Sequence, residues 1–290
     1  MTEFIKTLCD PDVPFLRYAF FSGMLAAVAF GVMGTYVVVR RISYLAGAIA
    51  HCVLGGIGVA LYFQTVYDLP WCTPMAGAVV SALIGAMVIG LVSRPRRGAP
   101  YARQREDTAI GALWAIGMAV GLLFLAKTPG YVDPMSYLFG NILMISKQDL
   151  WLIGGLDVLI LVMGTFFYHK FLAVCFDEEF AALRGVRVEA YYLLLLCLTA
   201  LTVVLLVSVV GIVMVIALLT LPAAMASHFS RRLWQMMILS VLLCMAFTAG
   251  GLGISYSYNL PTGPTIIVFT GAGYLVLAAS TQLRRGTDRE

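Results

Sequence analysis

The sequence predicts an all-α bundle of transmembrane helices with about eight or nine spans, and three observations predict it. Hydrophobic residues fill 61% of the 290 positions and charged residues only 12%, with a mean hydropathy of +0.93. That is more apolar surface than one soluble core of this length can hide. The apolar residues also fall in runs of the length a bilayer demands, about 17 to 25 residues. Finally, the basic residues sit in short gaps between those runs. There they report topology, and the net charge of +4 is no footprint of nucleic-acid binding.

The N-terminal stretch MTEFIKTLCDPDVPF holds acidic residues and two prolines. It offers neither a basic n-region nor a small-residue cleavage site, so no cleaved signal is expected. Spans follow at 15–39, 45–63, 74–92, 108–126, 150–167, 236–254 and 264–283. The apolar segment 191–226 is too long for one span. Gly211 near its middle and Pro222 near its end divide it into two short spans, Pro222 closing the second. Nine crossings result, within one transmembrane domain covering 1–290.

Sorting every Lys and Arg by this scheme puts fifteen on one side: Arg40, Arg41, Arg94, Arg96, Arg97, Arg103, Arg105, Lys170, Arg184, Arg187, Arg231, Arg232, Arg284, Arg285 and Arg289. Lys6, Arg17, Lys127 and Lys147 fall opposite. By the positive-inside rule the crowded side is cytoplasmic. The segment 1–14 is then outside and the tail 284–290 inside a cell, or inner, membrane. The alternation holds over nine crossings only if 191–226 crosses twice. Small residues recur every fourth position at Gly23, Ala27 and Gly31, at Ala78, Ala82, Ala86 and Gly90, and at Gly117 and Gly121, stripes that let helices approach closely in lipid.

Polar groups deep inside spans are the informative ones, because lipid excludes them unless they serve a pathway or find a partner. His51 lies ten or eleven residues past Arg40 and Arg41, roughly 15 Å along a helix and near mid-bilayer. It is read either as a hydrogen-bonded packing residue or as a metal ligand lining a path. Gly55, Gly56 and Gly58 just beyond it let the helix pack closely or unwind. Asp157 is the acidic residue placed inside a span, near its outer end, with interfacial solvation and a role in ion entry both open. His169 and His228 fall at cytoplasmic ends beside Lys170 and Arg231 and read as interfacial.

Between Lys127 and Asp149 the outer segment contains MSYLFGNILMIS, a candidate re-entrant or interfacial piece. On the cytoplasmic side FDEEFAALRGVRVE reads as amphipathic, with Asp177, Glu178 and Glu179 where a helix N-terminus favours carboxylates. The six cysteines form no C-x-x-C pair, so neither a zinc knuckle nor a redox motif is present. Cys9 and Cys72 share the outer side, which leaves a disulfide between them open. The sequence holds no G-x-x-x-x-G-K-[ST] loop, no H-E-x-x-H and no G-x-S-x-G elbow, so it reads as no enzyme and no ATP-hydrolysing subunit.

Six segments together resemble the permease subunits of zinc, manganese and iron ABC importers. They are VVVRRISYLAGAIAHCVLGGIG, EDTAIGAL, SYLFGNIL, FDEEFAALRGV, and VVGIVMVIALLTLPAAMA leading to GISYSYNLPTGPTI, spread over Phe15 to Ala279. The resemblance implies a type II importer architecture with a pair of permeases around a central pathway. It also implies two ABC ATPase subunits on the cytoplasmic face and an extracytoplasmic metal-binding protein. The chain itself would bind no cofactor, the divalent ion, zinc or manganese before iron, being its cargo. Many members carry an Asp four residues before the His of the first cytoplasmic turn, and the pair is thought to line the metal path. Here the His is His51 and the earlier position is Gly47, so only His51 carries over. ATPase coupling is expected at LPAAMASHFSRR, on Pro222, Ala223, Ala224, Ala226 and Arg231, with Asp177, Ala181 and Gly185 of FDEEFAALRGV beside it. The alternatives are a permease for a metal chelate of the siderophore or cobalamin type, and an autonomous secondary carrier. A secondary carrier would need coupling charges at mid-span, which this chain scarcely offers.

Overall fold

The computed structural model describes Thr7 and residues 14–92, 102–130, 134–140 and 145–287. In chain order the helices are α1 (Pro14–Val39), α2 (Ser43–Tyr67), α3 (Pro74–Val92), α4 (Ala102–Lys127), the short α5 (Pro134–Phe139), α6 (Lys147–Phe166), the short α7 (Tyr168–Phe176) and α8 (Glu178–Leu183), α9 (Val188–Val210), α10 (Ile212–Phe229), α11 (Leu233–Tyr258) and α12 (Thr262–Thr287). Nine of the described helices are long and apolar enough to cross a membrane, the number the hydropathy pattern requires. Cys9, Arg94, Arg96, Arg97, Arg289 and residues 141–144 of the outer segment lie outside the described residues.

The long apolar segment divides where expected. Gly211 alone separates α9 from α10, and its φ of +86° lies in the region only glycine enters without strain. With 23 residues, α9 is about 34 Å long, enough to cross by itself. Pro222 does not close the second half. It lies inside α10, which runs on to Phe229. A buried proline in an apolar bundle is tolerated because neighbouring helices and local adjustment satisfy the carbonyl it leaves free.

The centre of the bundle is built from α1, α2, α9 and α10, whose residues are largely buried. α1 packs against α6, α10 and α11, while α2 lies between α3 and α4. The other spanning helices turn apolar side chains outward, among them Val80, Ile84, Leu123, Val158, Leu242 and Leu275, as lipid-facing surfaces do.

Small residues make the close approaches the stripes predict. A Cβ on Gly117 would stand 2.9 Å from the Cys52 Cα, and one on Gly55 2.9 Å from the Gly117 carbonyl oxygen. Gly58 meets the Gly121 carbonyl in the same way at 2.5 Å. The glycines after His51 are therefore spent on packing, and α2 continues through them without unwinding. Without a hydrophobic force between helices in lipid, this backbone proximity is what holds α2 on α4.

At the end of the bundle away from Arg40, the segment around α5 folds back onto the α9–α10 break. Gly140, at φ +66°, leaves no room for a Cβ, which would lie 2.5 Å from the Gly211 nitrogen. One on Gly263 would lie 2.5 Å from the Phe139 carbonyl oxygen. The chain then re-enters a helix through a capping box. Ser146 Oγ accepts from the Asp149 N–H at 3.3 Å, and the Ser146 N–H donates to the Asp149 carboxylate at 2.9 Å, satisfying donors a helix start leaves open.

Two substitutions separate these roles. Gly117→Ala forces a Cβ against backbone and should lower the stability of the detergent-solubilised protein by about 1–3 kcal/mol, the usual cost of overpacking. Gly154→Ala meets nothing within 4 Å and should leave the melting temperature unchanged or higher. Equal melting temperatures for the two variants would contradict the seam.

Candidate functional site

His51 stands eight residues beyond the start of α2, about 12 Å along the helix. It is buried, 7% exposed, and its Nδ1 has no hydrogen-bond partner among the described residues. Its ring stacks on the indole of Trp114 from α4, with centroids 4.6 Å apart and planes at 25°. The same indole lies over Gly47, one turn earlier, where a Cβ would be 2.6 Å from Trp114 Cζ3 and 2.9 Å from Cη2. The α2 face shared by positions 47 and 51 is thus covered by one aromatic ring. Trp114 was not singled out from sequence. The signals present were an aromatic residue three positions before Gly117 and the run of glycines after His51, and neither fixes which helices meet.

Asp157 is placed differently from the expectation. Because α6 begins at Lys147, Asp157 lies ten residues along it, about 15 Å in, and not near an end. It is 5% exposed and faces α1, beside the Ala29 backbone, with neither carboxylate oxygen in a well-formed hydrogen bond. α6 packs on α1 while α2 packs on α3 and α4, so His51 and Asp157 belong to different helix neighbourhoods. Among the described residues no group of three or more His, Cys, Asp and Glu side chains is arranged to hold a metal ion. His169 and His228 are exposed near the Arg40 end, His228 Nδ1 lying 3.0 Å from the Ala224 carbonyl oxygen.

The Arg40 end carries the second group of candidate residues. Asp177 is the N-cap of α8, accepting from the Phe180 N–H at 2.9 Å. Gly185, at φ +77°, closes the helix in a Schellman motif. The Val186 N–H reaches the Ala181 carbonyl and the Gly185 N–H that of Ala182, both at 3.0 Å. Ala181 is buried and seats the turn. These three residues therefore build a short helix whose Phe180 and Leu183 stay exposed, at 51% and 87%, with Phe176 beside them at 67%. The Arg40–Glu178 ion pair ties this helix to the end of α1.

The α10 residues sort unevenly. Ala223 and Ala226 are buried in a cluster with Met236 against Val38 and Val39, and Pro222 is buried as well. Ala224 is half-buried and Arg231 exposed. The expectation that Pro222 closes the second span is corrected here as well: Pro222 to Ala226 lie in the last turns of a spanning helix, and the surface is reached from Ser227 to its end at Phe229 and by Arg231 and Arg232 beyond it.

A model of the ABC 3 transport family matches residues 12–281. A Chlamydia trachomatis (serovar D) protein named a probable metal transport system membrane protein is 37% identical over 93% of this chain and 90% of its own length. The manganese import system permease protein ScaB of Streptococcus parasanguinis is 29% identical over 95% of this chain and 93% of its own. Among solved structures, a chain of PsaBC from Streptococcus pneumoniae in complex with Fab superposes with a TM-score of 0.80 at 28% identity. The match covers 95% of this chain and 94% of that one.

Asp157 yields a test independent of any relative. An unpaired carboxyl group at mid-span opposes stability, so Asp157→Leu should raise the melting temperature, by about 1–3 kcal/mol of stability. A fall of that size would mean that the carboxyl group is a structural tie to α1.

Proposed function

The chain belongs to the ABC 3 transport family, and on that premise we infer that it is the membrane-spanning subunit of an ATP-driven importer of a divalent metal ion. The observation that carries this reading is His51, an imidazole buried about a third of the way along α2 with a ring nitrogen that nothing among the described residues satisfies. An unsatisfied polar group at that depth is costly, and a neutral imidazole nitrogen binds zinc and related divalent ions. Manganese in the name of ScaB supports an ion of this class, with zinc and manganese ahead of iron.

In this reading the arginine-crowded end is cytoplasmic, following the positive-inside rule, and the α5 end faces outward. Two copies pair so that His51 of each lines a shared path, and an extracytoplasmic binding protein delivers the ion. Hydrolysis of ATP belongs to separate subunits. Their dock is α8, whose exposed Phe180 and Leu183 form an apolar projection of the kind partner grooves bury, with the tip of α10 beside it. The Arg40–Glu178 pair and the packing of Val38 and Val39 on Ala223 and Ala226 connect both to α1, so a push on α8 is delivered into the bundle.

Two experiments test these assignments. His51→Ala and His51→Gln should each assemble, hydrolyse ATP and fail to carry metal in reconstituted vesicles. Uptake restored by Gln alone would reduce His51 to a packing residue, and normal uptake by Ala would exclude it from the path. Leu183→Asp should insert normally yet no longer co-purify with the ATPase; a complex of unchanged composition and coupling would move the dock elsewhere.

A further inference from the structure

Trp114 has no part in the reading above, yet its ring lies against the candidate path residue. Three observations converge on it. Its indole stacks on His51 at 4.6 Å. The six-membered ring also occupies the space over Gly47, within 2.6 Å of where any side chain there would begin. Finally, no group of three or more His, Cys, Asp and Glu side chains is gathered around His51 among the described residues. Position 47 projects from the same face as 51, so the ring fills the place from which a neighbouring residue of α2 would supply a second donor.

We propose that Trp114 determines metal specificity by keeping oxygen donors and water away from one face of His51, so that the transit site offers only imidazole nitrogen. The imidazole lone pair lies in the ring plane, so the stacked indole leaves it open to an ion while its six-membered ring, over Gly47, bars an oxygen ligand from that side. Imidazole suits zinc, iron and nickel, whereas manganese is better served by carboxylate, carbonyl and water. The indole therefore biases passage against oxygen-preferring ions. Its anchor point is fixed because α4 is held to α2 through Gly117 and Gly121. This inference rests on the reading that His51 lines the path, and it narrows the zinc or manganese of that reading to zinc.

The test uses the permease assembled with its ATPase and binding protein in proteoliposomes, with Zn²⁺ and Mn²⁺ uptake measured in the same preparations. Trp114→Ala should raise the Mn²⁺ to Zn²⁺ rate ratio about tenfold, because water and oxygen ligands then reach His51. Trp114→Phe, which keeps an aromatic face, should hold the ratio near that of the unaltered protein. Gly47→Asp should stop transport of both ions in the presence of Trp114. Combined with Trp114→Ala it should transport, with a further rise in the ratio. A purely structural role for Trp114 lowers both rates together and leaves the ratio unchanged, which would overturn the proposal. If the Ala variants fail to assemble, tryptophan fluorescence decides. The emission lost on going to Trp114→Phe should respond to Zn²⁺ in the unaltered complex, and no response to Zn²⁺ would equally overturn it. His51→Ala separates the two levels. Normal uptake in that variant defeats the path reading itself, whereas abolished uptake with an unshifted ratio in the Trp114 variants defeats only the specificity role.

Discussion

Contact between helix backbones at glycine is the constraint on which this bundle depends. In water two apolar helices are driven together by the solvent; in lipid the tails are as apolar as the side chains, and only shape and dispersion hold helices in place. Gly55 and Gly58 on α2 meet Gly117 and Gly121 on α4 at backbone distance. That fixes the rotation and height of α4 relative to α2, and with them the position of Trp114 over Gly47 and His51. A shift of one residue along the seam would rotate the indole by about 100° and uncover the imidazole. Packing and site chemistry are here set by the same few glycines.

Much of the architecture was legible in the sequence, because the bilayer constrains it so tightly. A span must be long, apolar and bounded by interfacial residues, and the division at Gly211 followed from length and charge alternation together. Pro222 misled for a reason rooted in the same environment. The rule that proline ends a helix assumes that the freed carbonyl must seek water, and inside a bundle it need not. Asp157 was misplaced by a few residues because the Ser146–Asp149 capping box starts α6 earlier than hydropathy alone suggests.

The site was only half legible. His51 stood out as an imidazole amid apolar residues, but its neighbour sits on another helix 63 positions away in sequence. No periodicity reports such a contact, since α2 is apolar on nearly every side and buried along most of its length. The residues of FDEEFAALRGV were recognised as a group without their individual work being visible. Asp177 and Gly185 terminate α8 and Ala181 seats it, while the surface it presents belongs to Phe180 and Leu183.

The meeting of Gly140, Gly211 and Gly263 at one end of the bundle bears on the order in which the chain can be assembled. α5 is synthesised before α6, yet the surfaces it rests on belong to the turn between α9 and α10 and to the first residues of α12. A ribosome feeding this chain into a membrane must therefore deliver about 120 further residues before that seat exists. Until then the stretch around Gly140 waits at the membrane surface. Closure of this end can follow only the synthesis of α12, and a chain truncated before α12 would insert most of its spans while leaving that end open.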